Sequence, residues 1–448
     1  MSSTSTTKPS RTEITDWRIS GISRKYPTYR KSFPISARSW LQGKQLDDEA
    51  EGLWRIYDLL YDFTDFIEYH PGGSFWLKET RGTDITEAFE THHISLMPEQ
   101  ILHKYRVRQA TEPRNYTLTM HEHGFYKTLK KRVGEKLKTI DHRPRQRTLL
   151  MHFSLLLATF VFTIASAVTG STFFEVLAAL ALCWLAIAAH NFFHRRDNWQ
   201  MYTFNLTLMN FHAWRISHAL SHHAYANSLH DLEMSMFEPF LCWVPSVHYG
   251  TKFRRFTLLL GQPLIYAAIF PAQFISRILQ SLLQSNVLFW HDIIGFILPA
   301  LMLTVTGDAT ILDVLRQWLF ILGISGFLFG FIGLSAAHHH PQIYHDGDAQ
   351  RPDRDWGLFQ MDTIIDRGDI KGSPFMVLTH FGEHALHHLF PTLDHGLLPQ
   401  LYPEFRQTLQ EFDIELRECN HLKHIIGQNK QLLRTARNSN PPGNIKNY

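Results

Sequence analysis

The sequence predicts a small soluble α+β domain followed by an all-α integral membrane domain of two transmembrane hairpins with interfacial helices. Three observations predict this order. Apolar runs long enough to span a bilayer start only at Leu149, the charge inverts just before them, and 28 histidines in 448 residues gather in motifs beside them. The balance of 44 Lys+Arg against 41 Asp+Glu excludes a strongly electrostatic nucleic-acid binder. Charged residues make up 19%, below the ~25% of ordinary soluble proteins. Cys183, Cys242 and Cys419 form no CxxC pair, so neither a disulfide framework nor a cysteine zinc site is expected.

Along the chain, residues 1–35 read as a polar, disordered tail with no apolar run suited to a signal peptide. Residues 36–110 read as the small domain, with 13 acidic and 8 basic side chains. Residues 111–147 read as a linker whose second part, 124–147, carries nine Lys/Arg against Glu135 and Asp141. Leu149–Thr169 then runs 21 residues without a formal charge, Gly170-Ser171 breaks it, and Thr172–Ala189 is a second apolar run of 18 residues with Glu175 near its start. Spans need about 20 apolar residues, so the two runs form a hairpin. The basic block places its open end in the cytosol by the positive-inside rule. Asn286–Thr306 and Gln317–Ala337 form the second hairpin, and the Pro- and Gln-containing stretch Thr257–Ser276 lies at the membrane surface or inserts partially. The membrane domain extends over 148–425, and 426–448 is a flexible tail.

The first histidine motif is His70-Pro-Gly-Gly, where a proline and two glycines turn the chain and admit a flat ligand closely. Gly82, Asp84, Thr86, Phe89 and His92-His93-Ile94 follow. This pattern resembles the cytochrome b5 family, of the fused type, over roughly residues 38–109. The resemblance implies a b-type haem with His70 and His93 as axial ligands. Two imidazoles leave iron no open position for oxygen, so such a domain carries electrons. No CxxCH is present to attach the haem covalently.

Three further motifs sit at the cytosolic edge of the spans: His190-x3-His194, His218-x3-His222-His223 and His384-x2-His387-His388. On a helix, residues three or four apart share a face. Eight imidazoles at one depth would hold two metal ions, and spacing alone does not choose among iron, zinc, copper and nickel. The three boxes around two hairpins resemble the membrane fatty acid desaturase family. The ending His387-His388-Leu-Phe-Pro is similar to the front-end desaturases, which also carry a cytochrome b5 domain. The whole arrangement most resembles a divergent insect branch of this superfamily. The resemblance implies two non-haem iron ions (Fe2+), an O2-dependent attack on a fatty acyl or other lipid chain, and His338 as a ninth ligand. Beyond the metal ligands no catalytic residue is assigned.

Two departures bear on substrate and regiochemistry. The third box opens with His384 where front-end desaturases have glutamine, and Arg195-Arg196-Asp197 follows His194. Asp231 and Glu383 are candidates to orient ligand imidazoles, whereas Asp197 reads as an ordinary surface carboxylate. His339 and His340 read as solvent-facing, His380 as structural, and His152 and His291 as hydrogen-bonded helix-edge residues. No GxGxxG motif occurs, so an external NADH-cytochrome b5 reductase is the expected partner and no nucleic acid is. The resulting expectation is a fatty acid desaturase-like oxidoreductase of lipid metabolism in the endoplasmic reticulum, with haem domain and boxes facing the cytosol. Hydroxylation on the same scaffold, or electron carriage by a haem domain with a non-catalytic membrane anchor, are the alternatives.

Overall fold

The computed structural model describes residues 20–283, 288–307 and 309–443. Its N-terminal lobe carries an antiparallel sheet of β1 (Trp54–Ile56), β2 (Leu59–Tyr61) and β3 (Arg106–Gln109), in that spatial order. Trp54 pairs with Tyr61, and Leu59 with Gln109. The apolar residues Trp54, Ile56, Phe63, Leu77 and Phe89 form this lobe's own small core. The rest of the chain is mostly helical, so the α+β lobe followed by a helical domain stands as the sequence predicted.

The first hairpin is Pro144–Thr169 and Thr172–His190. Gly170 closes it in the left-handed region (φ 65°), a conformation that carries no Cβ penalty for glycine, and its N–H donates to Ser166 O at 2.8 Å. Leu150, Phe153, Leu157 and Phe173 project outward from the hairpin, each more than half exposed. That face suits lipid rather than water.

The second hairpin is uneven. Ile311–Gly333 is a full-length apolar helix, but its partner is a 3-10 segment (Trp290–Phe296) continued by the short helix Ile297–Val305. Three helices in the described residues are therefore long and apolar enough to cross a membrane. The Asn286 end of the expected span lies outside the described residues. The buried polar group Asn210–His291–Asp292–Arg277 explains the short arm. It anchors the Trp290 end in protein contacts, so only nine residues remain regular helix. The stretch 257–276 falls across three helices, Lys252–Leu260, Gln262–Ala267 and Ile269–Leu283, none of which, among the described residues, is long and apolar enough to cross a membrane.

Three expected connecting or terminal segments are folded instead. Residues 20–35 form a strap: Tyr29 is buried and its hydroxyl donates to Leu229 O at 2.7 Å, while the Ser20 hydroxyl and the Gly21 N–H hold Asp346. The remainder of the expected tail, 1–19, lies outside the described residues. Within 111–147, Phe125–Lys136 is a helix whose Phe125, Tyr126, Leu129 and Val133 are fully buried. Its lysines hid that apolar stripe from a reading based on charge. At the other end, His421–Leu433 is helical and Arg434 forms an ion pair with Asp348 at 2.7 Å, so 426–438 is not a free tail. Residues 444–448 lie outside the described residues.

The lobes share one continuous core that includes Trp40, Phe75, Tyr126 and Trp356. Trp40 Nε1 donates to His230 O at 2.9 Å, and the Arg215 guanidinium lies 3.9 Å from the Phe75 ring centre. The haem-type lobe is thus docked on the helical domain rather than tethered to it.

Candidate functional site

In the N-terminal lobe, His70 and His93 face each other with ring centres 6.0 Å apart. His70 Nδ1–H donates to Gly73 O at 2.8 Å, and His93 Nδ1–H donates to Phe89 O at 2.9 Å. Each bond leaves Nε2 as a free lone pair directed away from the anchoring carbonyl. Burial also pushes both rings below the ordinary histidine range, His93 to about 4, which keeps them neutral and able to ligate. A Cβ at Gly72 would come within 2.8 Å of His70 Cε1, so glycine there leaves the ring its room. Gly73 takes φ 93° to open the next helix. The space between the rings, about 530 Å³, is walled by Phe63, Phe66, Leu77, Ile85 and Phe89. That volume falls within the ~300–1,000 Å³ of ligand sites. Two free imidazoles across an apolar slot fit an axially ligated flat macrocycle.

The other sequence-predicted histidines come together in two buried clusters. His190, His194, His218, His223 and His387 form one; His222, His338, His384 and His388 form the other. Within each, the ligand atoms all lie within 4.8 Å of one another. The Nε2 atoms approach to 2.6 Å for His190–His218, 2.9 Å for His190–His387, 2.7 Å for His338–His384 and 3.0 Å for His338–His388. The clusters touch where His223 and His388 stack at 4.0 Å.

Local structure explains the division. His190 ends the hairpin helix, and His194 follows on a turn. The second box lies on a π-helix, Arg215–His222. An α-helix would pair His218 with His222. The wider π turn instead brings His218 to His223, five residues on, with Nε2 atoms 3.0 Å apart, and sends His222 to the other cluster. His338 follows the long helix Ile311–Gly333, and the helix His384–Leu389 supplies the third box.

The donor set fits metal ions. His338 Nδ1–H donates to Thr363 O, and His388 Nδ1–H to Gln360 Oε1, both at 3.0 Å. Their Nε2 atoms are then two lone pairs only 3.0 Å apart, an arrangement that a metal ion bound by both would stabilise. His218 and His222 are fixed in the same sense by Glu233 (3.0 Å) and Asp231 (2.9 Å). Among the described residues, neither ring nitrogen of His194 has a hydrogen-bond partner, although the ring is buried. Beside the clusters lies a cavity of about 100 Å³, lined by Met209, Trp214, Ile269, Phe329 and Leu334 among others.

Of the carboxylates singled out in the sequence, Asp231 bonds the His222 imidazole, Glu383 instead receives the Tyr402 hydroxyl, and Asp197 pairs with Arg215. Glu233, Gln360 and Thr363 escaped notice because no motif marks them. His339 is not solvent-facing: it stacks on Trp243 at 4.0 Å, since the chain turns back toward the core after His338. His152 bonds the Thr203 hydroxyl at 3.0 Å, His291 accepts from the Asn210 amide at 3.1 Å, and His380 bonds the Thr379 hydroxyl.

Comparisons with known proteins give two family matches. A cytochrome b5-like haem/steroid binding domain matches residues 39–111, and the fatty acid desaturase family matches residues 169–420. The cytochrome b5-related protein of Drosophila melanogaster is 59% identical over 96% of this chain and 99% of its own length. The probable Delta(5) fatty acid desaturase C of Dictyostelium discoideum is 23% identical over 84% of this chain and 90% of its own. Fatty acid desaturase 3 of Bos taurus is 22% identical over 81% and 85%. No solved structure matches.

Proposed function

The chain belongs to the fatty acid desaturase family, with a cytochrome b5-like haem domain fused ahead of it, and from that premise we propose that it is a membrane oxidoreductase that desaturates a fatty acyl chain. The observation that carries this reading is the pair of convergent histidine clusters, opened toward an apolar cavity and flanked by a pocket for haem. His70 and His93 would hold haem b; His190, His194, His218, His223 and His387 would hold one iron ion, and His222, His338, His384 and His388 a second. Bound haem supplies one-electron carriage, and the iron pair supplies activation of O2 toward an unactivated C–H bond.

The chain's own residues do the rest. Asp231, Glu233, Gln360 and the Thr363 carbonyl each hold an Nδ1 proton, so the ligand rings keep one tautomer and one orientation. Trp214 stacks on His218 at 5.0 Å and closes the cavity wall beside it. Phe329 and Ile269 keep water from the place where the acyl carbon would lie. An NADH-dependent cytochrome b5 reductase would refill the haem from the cytosol. The basic residues ahead of Leu149 favour that orientation, with the endoplasmic reticulum as the membrane.

The test is expression with a b5 reductase, followed by mass analysis of cellular lipids. New double bonds dependent on the chain are expected. New hydroxyl groups would replace desaturation by hydroxylation, and an unchanged lipid profile with haem and iron loaded would refute turnover.

A further inference from the structure

His92 stands between the two sites. It lines the same pocket as His70 and His93, and its ring centre is 6.0 Å from that of His194 in the first histidine cluster. His92 and His93 are anchored alike: His92 Nδ1–H donates to Ala88 O and His93 Nδ1–H to Phe89 O, both at 2.9 Å. Their free nitrogens then serve different neighbours. His93 faces His70, whereas His92 Nε2 is buried without a hydrogen-bond partner among the described residues. Leaving a buried acceptor unpaired is unfavourable, so packing has to hold the ring there. Trp76 does so at 5.0 Å, itself covered by the Arg215 guanidinium at 4.4 Å from its ring centre. The desaturase-domain residues His194, Arg195 and Leu220 complete this end of the pocket.

We infer that His92 is a positioning residue that couples the haem pocket to the first histidine cluster for electron transfer. The route runs from the His93 ring through the shared peptide bond to the His92 ring, then across a single ring-to-ring gap to His194. This inference rests on the proposed function. In each transfer one electron is lost by ferrous haem, which becomes ferric, and gained by ferric iron at the His194 cluster, which becomes ferrous. The imidazole is neither oxidised nor reduced, no proton moves, and an external flavoprotein reductase using NADH restores the ferrous haem.

The test uses the full chain loaded with haem and with the non-haem iron in its ferric state, anaerobic and without lipid. The haem is reduced by a light flash with a deazaflavin, and its reoxidation is followed in the Soret band. His92→Leu should lose the fast, concentration-independent phase while keeping the Soret spectrum, haem midpoint potential and iron content. A merely structural histidine would not separate these readouts. His92→Gln, which can keep the bond to Ala88 O but has no ring, should behave the same and decides the matter if the Leu variant loses haem. The exposed His103→Leu serves as control. A haem-loaded His92 variant that reoxidises at the parental rate overturns the role of His92. Absence of any fast phase in the parental chain overturns the electron-transfer reading beneath it.

Discussion

Glu233 offers the most direct check on the metal centre. Its carboxylate receives the Nδ1 proton of His218 at 3.0 Å, and its second oxygen lies 3.8 Å from His222 Nδ1. Glu233→Ala removes both contacts. The side chain is 24% exposed, so water can replace it and the fold should be little affected. The loss falls on ligand orientation. A hydrogen bond to a charged group is worth ~1.5–3 kcal/mol, and at ~1.4 kcal/mol per tenfold this becomes about 10–100-fold in iron affinity. The same range is typical when partners of metal ligands are removed. The first cluster depends on His218 and should lose its ion preferentially. Asp231 still holds His222 in the second. The assay is the iron-to-haem ratio of purified protein across a chelator series, which should fall from about two toward about one at intermediate chelator. Iron retained at parental affinity would refute the argument that Glu233 orients His218.

Four further outcomes are expected. Replacing His387 and His388 with Ala, one from each cluster, should abolish lipid product and leave the haem spectrum intact, as absorbance and lipid mass analysis would show. His70→Ala should lose the Soret band but keep its iron. Burial raises the Glu90 carboxyl, but Lys130 (2.6 Å) and Lys127 (2.7 Å) outweigh it and hold the group below its ordinary value of 4.5. Its contribution to docking is therefore present above pH 4.5 and lost as pH falls through the lower folded value; Glu90→Gln should flatten that limb of a pH–stability curve. Gly43→Ala would set a Cβ 2.7 Å from the Tyr29 backbone nitrogen and lower the melting temperature, at a cost of ~1–3 kcal/mol.

Much of this was legible in the sequence because its signals were local. The Gly170-Ser171 break, the length of the first hairpin and the three boxes each follow from residues close in the chain. The pairing of His223 with His218 rather than His222 with His218 was not legible, because the spacing was read at the α-helical period and the π-helix changes it. Nor was Glu233, a lone carboxylate 15 positions beyond His218, or Gln360, 28 before His388. Their roles depend on how distant segments cross. The basic segment misled for a different reason: Lys127 and Lys130 are paired with Glu90 and Glu99, so a run that reads as solvated charge is in fact an interface.

The shared core has a consequence for synthesis. The small core around Trp54, Phe63 and Phe89 can close once residues up to about 110 have emerged. The opposite side of that lobe cannot. Trp40 waits for His230, Tyr29 for Leu229, Gly21 for Asp346, and Tyr126 for the Leu389 carbonyl. During translation the finished half of the lobe must carry an uncovered aromatic flank until the helical domain has emerged. The nascent chain thus passes through a stage in which its soluble part is aggregation-prone.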